Sequence, residues 1–289
     1  MKSRKEYLKL LFGGMAITAL VLAISVYQRP SAESSFKIEF LDVGQGDAAY
    51  IKTVSGQDIL IDGGPDNSVL VELGRVMDAA DREINLVIFS HPHADHLTGL
   101  VEVLQRYEVD EVWETGVAYP SATYEKFEKE ISEKNIPVKF VKAGDEKVFG
   151  DAKLSILYPL SPIKNQRVDN LNNASIVARL DYQNFSALFP GDLEKDAQGK
   201  IPIQNLFATI LKVPHHGSQN GLSEDFLKAV RPALAVISAG KDNKFGHPHP
   251  STLDLLKKLA VKYYRTDQDG RIEIVTSGQG YTVNTFPSE

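Results

Sequence analysis

The sequence predicts an α/β fold in which sheet packs against helices, and three observations carry that reading. Short strand patterns recur from residue 36 to residue 286, helix-period segments interrupt them in two series, and no linker divides them. At 289 residues, 43% apolar and 24% charged, the chain can bury a substantial core.

Residues 36–42 alternate with period two and read as a strand, continued by short strands at 48–53 and 58–62 with glycine-containing turns between them. A helical pattern covers 69–80. Residues 84–90 are short and nearly all apolar, as in a strand buried on both faces. A helix over 97–107, a strand at 109–113, an amphipathic helix over 121–134 and a strand at 138–141 follow. Strands come next at 153–157, 175–181 and 185–189, the last ending in Pro190-Gly191-Asp192. A strand at 209–213 runs into Pro214-His215-His216-Gly217-Ser218. A helix over 223–230 takes Ser223 as its N-cap, a strand covers 234–238, and a helix over 251–259 takes Ser251 as its cap. Two terminal strands lie near 271–276 and 281–286, and no internal repeat is visible.

Residues 1–31 read as a separate segment from the globular domain at 32–289. Lys2, Arg4, Lys5 and Lys9 precede an uncharged, mostly apolar run from Leu10 to Tyr27. At about 1.5 Å per residue this run reaches about 27 Å, near the lower limit for a membrane span. The basic flank predicts a cytoplasmic start and an extracellular domain, a single-pass topology. The alternative is a cleaved signal peptide with Pro30-Ser31-Ala32 as its site, which also exports the domain. Without residues 1–31, which hold five Lys/Arg and one acid, the remainder has 27 basic and 37 acidic residues, a net of −10. An acidic domain is a poor non-specific binder of nucleic acid, so a phosphate substrate must be held at the site itself.

All seven histidines fall in three windows: His91-Pro92-His93-Ala94-Asp95-His96, His215-His216 and His247-Pro248-His249. A lone histidine is more often a solvated or hydrogen-bonded core residue, but H-x-H-x-D-H after a buried strand places four candidate ligands in six residues. Crowding them around one ion is difficult. His91 and His93 suit one ion, Asp95 and His96 an adjacent one, and Asp192 at a strand end is the best bridge between them. The chain has no cysteine, so disulfides, Cys-type zinc sites and a lipoprotein anchor are excluded.

Asp62 in Leu60-Ile61-Asp62-Gly63-Gly64, the first histidine window through Gly99, and Phe189-Pro190-Gly191-Asp192 together resemble the ordered motifs of the metallo-β-lactamase fold. Residues 41–47, 172–175, 213–218 and 245–250 narrow the resemblance to the ComEC-type branch, the extracellular hydrolase-like domain of competence (DNA-uptake) membrane proteins. The resemblance covers roughly residues 36–285. It implies an αββα sandwich, here preceded by one N-terminal transmembrane helix, with a dinuclear metal site at its edge. It further implies that Asp62 orients a ligand imidazole, the alternative being a simple turn acid. His216, directly before Gly217, is favoured over His215 as a ligand, leaving His215 to contact a substrate phosphate or donate a proton. His247, near Lys241 and Asn243, is assigned to substrate contact or leaving-group protonation. Asp42, Gln45 and Asp47 would line the same rim, and His249 is equally well structural.

Two departures from the family pattern stand out. The multi-pass channel of a ComEC protein has no counterpart, so this chain is not expected to be a DNA channel itself. No histidine lies between residues 97 and 214, where many members of the fold have a metal ligand. Asn172, Asn173 or Ser175, or water, would take that position and make the site richer in oxygen. Zn2+ is the default for such imidazole sites, and Mn2+ gains as oxygen ligands increase. The expectation is an exported hydrolase that uses a metal-activated water, with Asp95, His215 and His247 in the chemistry, acting on a phosphodiester such as DNA. Alternatives are a teichoic-acid-type phosphodiester, a lactone or a β-lactam, or a non-catalytic metal-stabilised surface module.

Overall fold

The computed structural model describes residues 35–288. The expected anchor at 10–27 and the alternative cleavage site at 30–32 lie outside them. No helix among the described residues is long and apolar enough to cross a membrane.

The first half contributes β1 (Phe36–Phe40), β2 (Ala49–Lys52), β3 (Asp58–Ile61), α1 (Ser68–Val76), β4 (Glu83–Ile84), β5 (Leu86–Ile88), α2 (Ala94–Arg106), β6 (Glu108–Val109), β7 (Val112–Glu114), α3 (Ala122–Lys134) and β8 (Val138–Phe140). The second contributes β9 (Glu146–Phe149), β10 (Ala152–Tyr158), β11 (Val177–Tyr182), β12 (Phe185–Phe189), α4 (Lys195–Gln198), β13 (Ile210–Lys212), α5 (Glu224–Val230), β14 (Leu234–Ile237), α6 (Pro250–Lys258), β15 (Lys262–Arg265), α7 (Thr266–Asp269), β16 (Arg271–Thr276) and β17 (Tyr281–Phe286). One sheet has the order β17-β16-β1-β2-β3-β5-β7-β8 and the other β15-β14-β13-β12-β11-β10-β9.

Strand alternation explains the layering. Phe36, Ile38 and Phe40 of β1, Ile59 and Ile61 of β3, and Leu86 and Ile88 of β5 enter one core together with Phe185, Ala187 and Phe189 of β12 and Leu234 and Val236 of β14. The residues between them face outward: Leu60 and Val87 meet Leu73 of α1, Leu97 and Leu100 of α2 and Phe127 of α3. Leu188, Leu211 and Ile237 likewise meet Phe226 of α5 and Leu256 of α6. Sheet faces sheet and each outer face carries helices, the αββα arrangement.

Several local expectations are corrected. The helix expected at 69–80 ends at Val76, because Met77 turns to extended backbone and Asp81 pairs with Lys52. The strand expected at 84–90 divides at Asn85. Its side chain accepts from Asp58 N and donates to Glu83 and Asp110, which diverts β4 into a small ribbon with β6. The strand expected at 109–113 divides correspondingly into β6 and β7. The strand expected from 175 starts at Val177, because Ser175 Oγ accepts from Asp192 N. Ser251 does not cap α6. His249 does, its Nδ1 accepting from Ser251 N at 3.2 Å, with Pro250 in the first turn. Strands β9 and β15 lack a period-two signal strong enough to be seen in sequence.

Glu114, at the end of β7, is buried beside Tyr124, whose hydroxyl donates to Oε2 at 2.6 Å. Burial pushes its carboxyl up from 4.5 to about 7, more than the Tyr124 bond offsets. Between these two values the folded protein keeps a proton that the unfolded chain has released, so stability falls as pH rises through that window. Glu114→Gln is therefore expected to stabilise the fold at pH 8, by on the order of 3 kcal/mol, and to leave it unchanged at pH 4. Urea melts showing the same effect at both pH values would contradict this.

Candidate metal centre

The candidate residues gather at the C-terminal ends of parallel strands from both sheets. β3 runs into Asp62, β5 into Ser90 and His91, β12 into Asp192, β13 into His215 and His216, and β14 into the loop holding His247. Such ends are where α/β sheets build sites. Close backbone packing fixes the entry to α2. Gly63 N donates to His96 O, Gly99 N to Gly64 O and Asp47 N to Asp95 O. A Cβ on Gly99 would overlap the Gly63 carbonyl oxygen, so this approach requires glycine.

Asp192 is the hub of the cluster. Its Oδ2 lies 3.9 Å from His91 Nε2, 3.3 Å from His96 Nε2, 3.8 Å from His215 Nε2 and 3.5 Å from His216 Nε2. Asp95 Oδ2 lies 3.3 Å from His216 Nε2, and His93 Nδ1 lies 3.0 Å from His91 Nε2. His91, His96, His216 and Asp192 are all buried. His91, His96 and Asp192 form one close donor group, and Asp95, His96 and His216 another.

The imidazoles are oriented from behind. His96 Nδ1 meets Asp62 Oδ2 at 2.8 Å, and Asp62 in turn accepts from Ser90 N and Ser90 Oγ. His216 Nδ1 lies 3.1 Å from Ser238 O and 3.2 Å from Asp47 Oδ1. Both arrangements leave Nε2 facing the cluster. His96 Nε2, His216 Nε2 and Asp192 Oδ1 are buried without a hydrogen-bond partner. Buried polar atoms are seldom left so, and an inward-facing set of them is a donor set for a cation. His215 and His216 both adopt left-handed backbone, with φ 52° each. For residues with a side chain this conformation is uncommon, and it is held here by Ser218 N donating to His215 O.

The electrostatics follow from burial and crowding. Burial opposes the charge on Asp192, but His216, His96 and Lys212 outweigh it and hold the carboxyl well below its usual range. Burial likewise opposes the cationic forms of His96 and His216. Asp192 and Asp62 nonetheless raise His96 well above 6.5, while Asp192 and Asp47 raise His216 to about 10. Burial and the neighbouring His216 and His215 push the half-buried His247 down to about 4.

The remaining rim residues are placed as follows. Asn173 donates to both carboxylate oxygens of Asp196 at 3.0 Å and accepts from Glu194 N, so its side chain is engaged away from the imidazoles. Asn172, next to it, turns toward His215 instead, and both it and His215 meet Glu194. Asp42 accepts from Ser288 near the terminal strand. Gln45 Oε1 accepts from Gly240 N. Asn243 clamps its own loop through Gly240 O and His247 O, while Lys241 is exposed. Sequence reasoning missed Ser90, Glu194 and, above all, Lys212. Lys212 is 4% exposed, pairs with Asp47 and lies 3.7 Å from Asp192 Oδ1. A single charged residue in an otherwise apolar buried strand was the available signal.

Residues 41–241 match the metallo-beta-lactamase superfamily. The chain belongs to that superfamily. Its relatives include ComE operon protein 3 of Bacillus subtilis, 27% identical across 95% of this chain and 37% of the relative. They also include Recombination protein 2 of Haemophilus influenzae (28%, 94% and 32%) and Competence protein ComA of Neisseria gonorrhoeae (25%, 88% and 34%). The chain thus spans about a third of the length of these relatives. Among solved structures, the metallo-beta-lactamase fold protein YhfI of Bacillus subtilis superposes with a TM-score of 0.52 at 12% identity, covering 79% of this chain and 96% of that one. CmlA, a diiron beta-hydroxylase from Streptomyces venezuelae, superposes at 0.54 with 15% identity, covering 86% and 55%. These two likenesses concern the fold alone.

Proposed function

We propose that the domain is a dinuclear metal-dependent hydrolase of phosphodiesters, DNA among them, exported and held at the membrane by residues 10–27. The observation that carries this reading is the convergence of four imidazole nitrogens on Asp192 Oδ2. A carboxylate so surrounded would suit the role of a ligand shared between two cations. His91 and His93 would hold one with Asp192, and Asp95, His96 and His216 the other. Imidazole-rich donors suit Zn2+, and the added carboxylates keep Mn2+ in play. When bound, such ions supply a Lewis acid and an acidified water.

The chain's own residues do the rest. Asp62 and Ser90 hold His96, and Ser238 O holds His216, each with Nε2 free for a ligand bond. His215 is partly exposed and held at Nδ1 by Glu194 at 3.2 Å, which places its Nε2 to pass a proton to a departing oxygen. His215→Ala is expected to slow hydrolysis of alkyl phosphodiesters by about 10²-fold or more, the range of general-acid catalysis, and to slow p-nitrophenyl esters much less. Equal losses on both would rule out the proton-donor role.

The direct test incubates the full chain, loaded with Zn2+ or Mn2+, with bis(p-nitrophenyl) phosphate and with labelled DNA. Hydrolysis that disappears in Asp95→Ala supports the reading, and no cleavage above that variant overturns it. The relatives named Recombination protein 2 and Competence protein ComA favour a nucleic-acid substrate. The net charge of −10 over residues 32–289 favours a substrate that is not a polyanion instead, such as a lactone or a β-lactam. Turnover of lactones or β-lactams without phosphodiesters would decide for that second reading. Protease added to intact cells should remove the domain, and full protection would contradict export.

A further inference from the structure

Three aromatic rings form a row that starts in the metal centre and ends in solvent. His216 is buried, and His247 stacks on it with centroids 6.2 Å apart and planes at 26°. Phe245 stacks on His247 at 5.7 Å and 22°. Phe245 is 56% exposed, and of the exposed phenylalanines among the described residues it is the one that stacks on a histidine of the cluster. A lone exposed apolar side chain ordinarily needs no explanation. This one terminates a stack that begins at a candidate metal ligand.

The loop that carries it is held rigidly. Asn243 Nδ2 donates to Gly240 O and His247 O, and its Oδ1 accepts from Phe245 N at 3.2 Å and His247 N at 3.0 Å. Gln45 Oε1 ties the start of the loop through Gly240 N, and His249 N donates to Gly217 O at its end. A platform already ordered loses little entropy when it binds. Two exposed lysines share the loop. Lys244 Nζ lies over the Phe245 ring, 5.2 Å from its centroid, so an incoming base must displace this exposed, flexible side chain, and Lys241 stands four residues before Phe245. In an otherwise acidic domain these cations are local.

We propose that Phe245 is a nucleobase-stacking platform beside the hydrolytic centre, that Lys241 and Lys244 hold the flanking phosphates, and that the preferred ligand is therefore a single-stranded nucleic acid. The proposal rests on the phosphodiester reading only for the position of the scissile phosphate. Every base has a π-face, and stacking on an aromatic side chain tolerates any sequence. In a duplex those faces are covered by neighbouring pairs, so the platform selects an unpaired base. Weak surface electrostatics makes the stack a larger share of the affinity than in a basic protein.

The test is fluorescence anisotropy with the full chain in chelator, so that binding is read without cleavage. The probes are a labelled oligothymidylate, an abasic oligomer of equal length and a duplex. Phe245→Ala is expected to weaken oligothymidylate binding by about tenfold or more, as loss of one stacked base does. Phe245→Trp should retain it, and the abasic oligomer should bind weakly and be indifferent to both changes. Lys244→Ala should weaken both oligomers and lower the salt slope by about 0.7, the value for one phosphate on a single strand. An effect of Phe245→Ala below twofold, equal binding of the abasic oligomer, or tighter binding of the duplex would each overturn the proposal. Cleavage of bis(p-nitrophenyl) phosphate is read separately. Its absence with base-dependent binding intact overturns the hydrolase reading alone, and its presence without base-dependent binding overturns the platform alone.

Discussion

Replacing Asp192 by asparagine is expected to abolish hydrolysis and to destabilise the metal-free protein at the same time. The amide side chain would retain the shape of the hub while losing the charge that four imidazoles face. Loss of a shared anionic ligand removes several kcal/mol of transition-state stabilisation, about 10³-fold or more in rate. The second effect comes from burial. At neutral pH His96, His216 and Lys212 are held cationic in the metal-free protein, with Asp192 a leading cause in each case. Removing one partner of a buried charge set costs about 3–5 kcal/mol, because the others remain desolvated and unmatched. Elemental analysis should show less metal per chain, and urea melts in chelator should show the lost stability. A variant with wild-type metal content and activity would remove Asp192 from the centre of the account.

Lys212→Met should be nearly as costly to the fold. Lys212 is buried against Asp47, with Asp192 close by. Burial opposes the charge on the ammonium, and the two carboxylates outweigh it, so its pKa rises. Methionine fills similar volume but leaves Asp47 without its cation, again a loss of about 3–5 kcal/mol. Combining it with Asp47→Leu removes both charges, and replacing a whole buried pair with apolar residues is often neutral. The double variant is therefore expected to recover most of the stability, with His216 Nδ1 keeping Ser238 O. Strictly additive losses in urea melts would show that the two residues do not act as a pair.

What was legible in sequence was what short-range spacing encodes. Period-two alternation at Phe36, Ile38 and Phe40 marks the face that enters the central core, and the dense H-x-H-x-D-H window marks the centre. Long-range pairing was not legible. Lys212 reads as an ordinary strand residue until β13 places it opposite Asp47, 165 positions earlier in the chain. Glu194 carries no periodic signal, and its role beside His215 appears only once the β12 and β13 ends lie together. Asn172 and Asn173 are neighbours that a tight 3-10 turn at Leu171–Ala174 sends to different partners, His215 and Asp196. The histidine gap between residues 97 and 214 also looks different in three dimensions. His215 Nε2 comes within 3.8 Å of Asp192 Oδ2, so an imidazole supplied from later in the chain reaches the hub. Element ends were set by side-chain bonds that periodicity does not register, as at Asn85 and His249.

The measurement that bears most directly on the central claim is the metal content of the full chain purified without chelator, taken alongside phosphodiester hydrolysis before and after metal removal. The account predicts two divalent ions per chain, with hydrolysis lost on removal and regained on adding Zn2+ or Mn2+. Fewer than one ion per chain, or hydrolysis that survives complete removal, would contradict it.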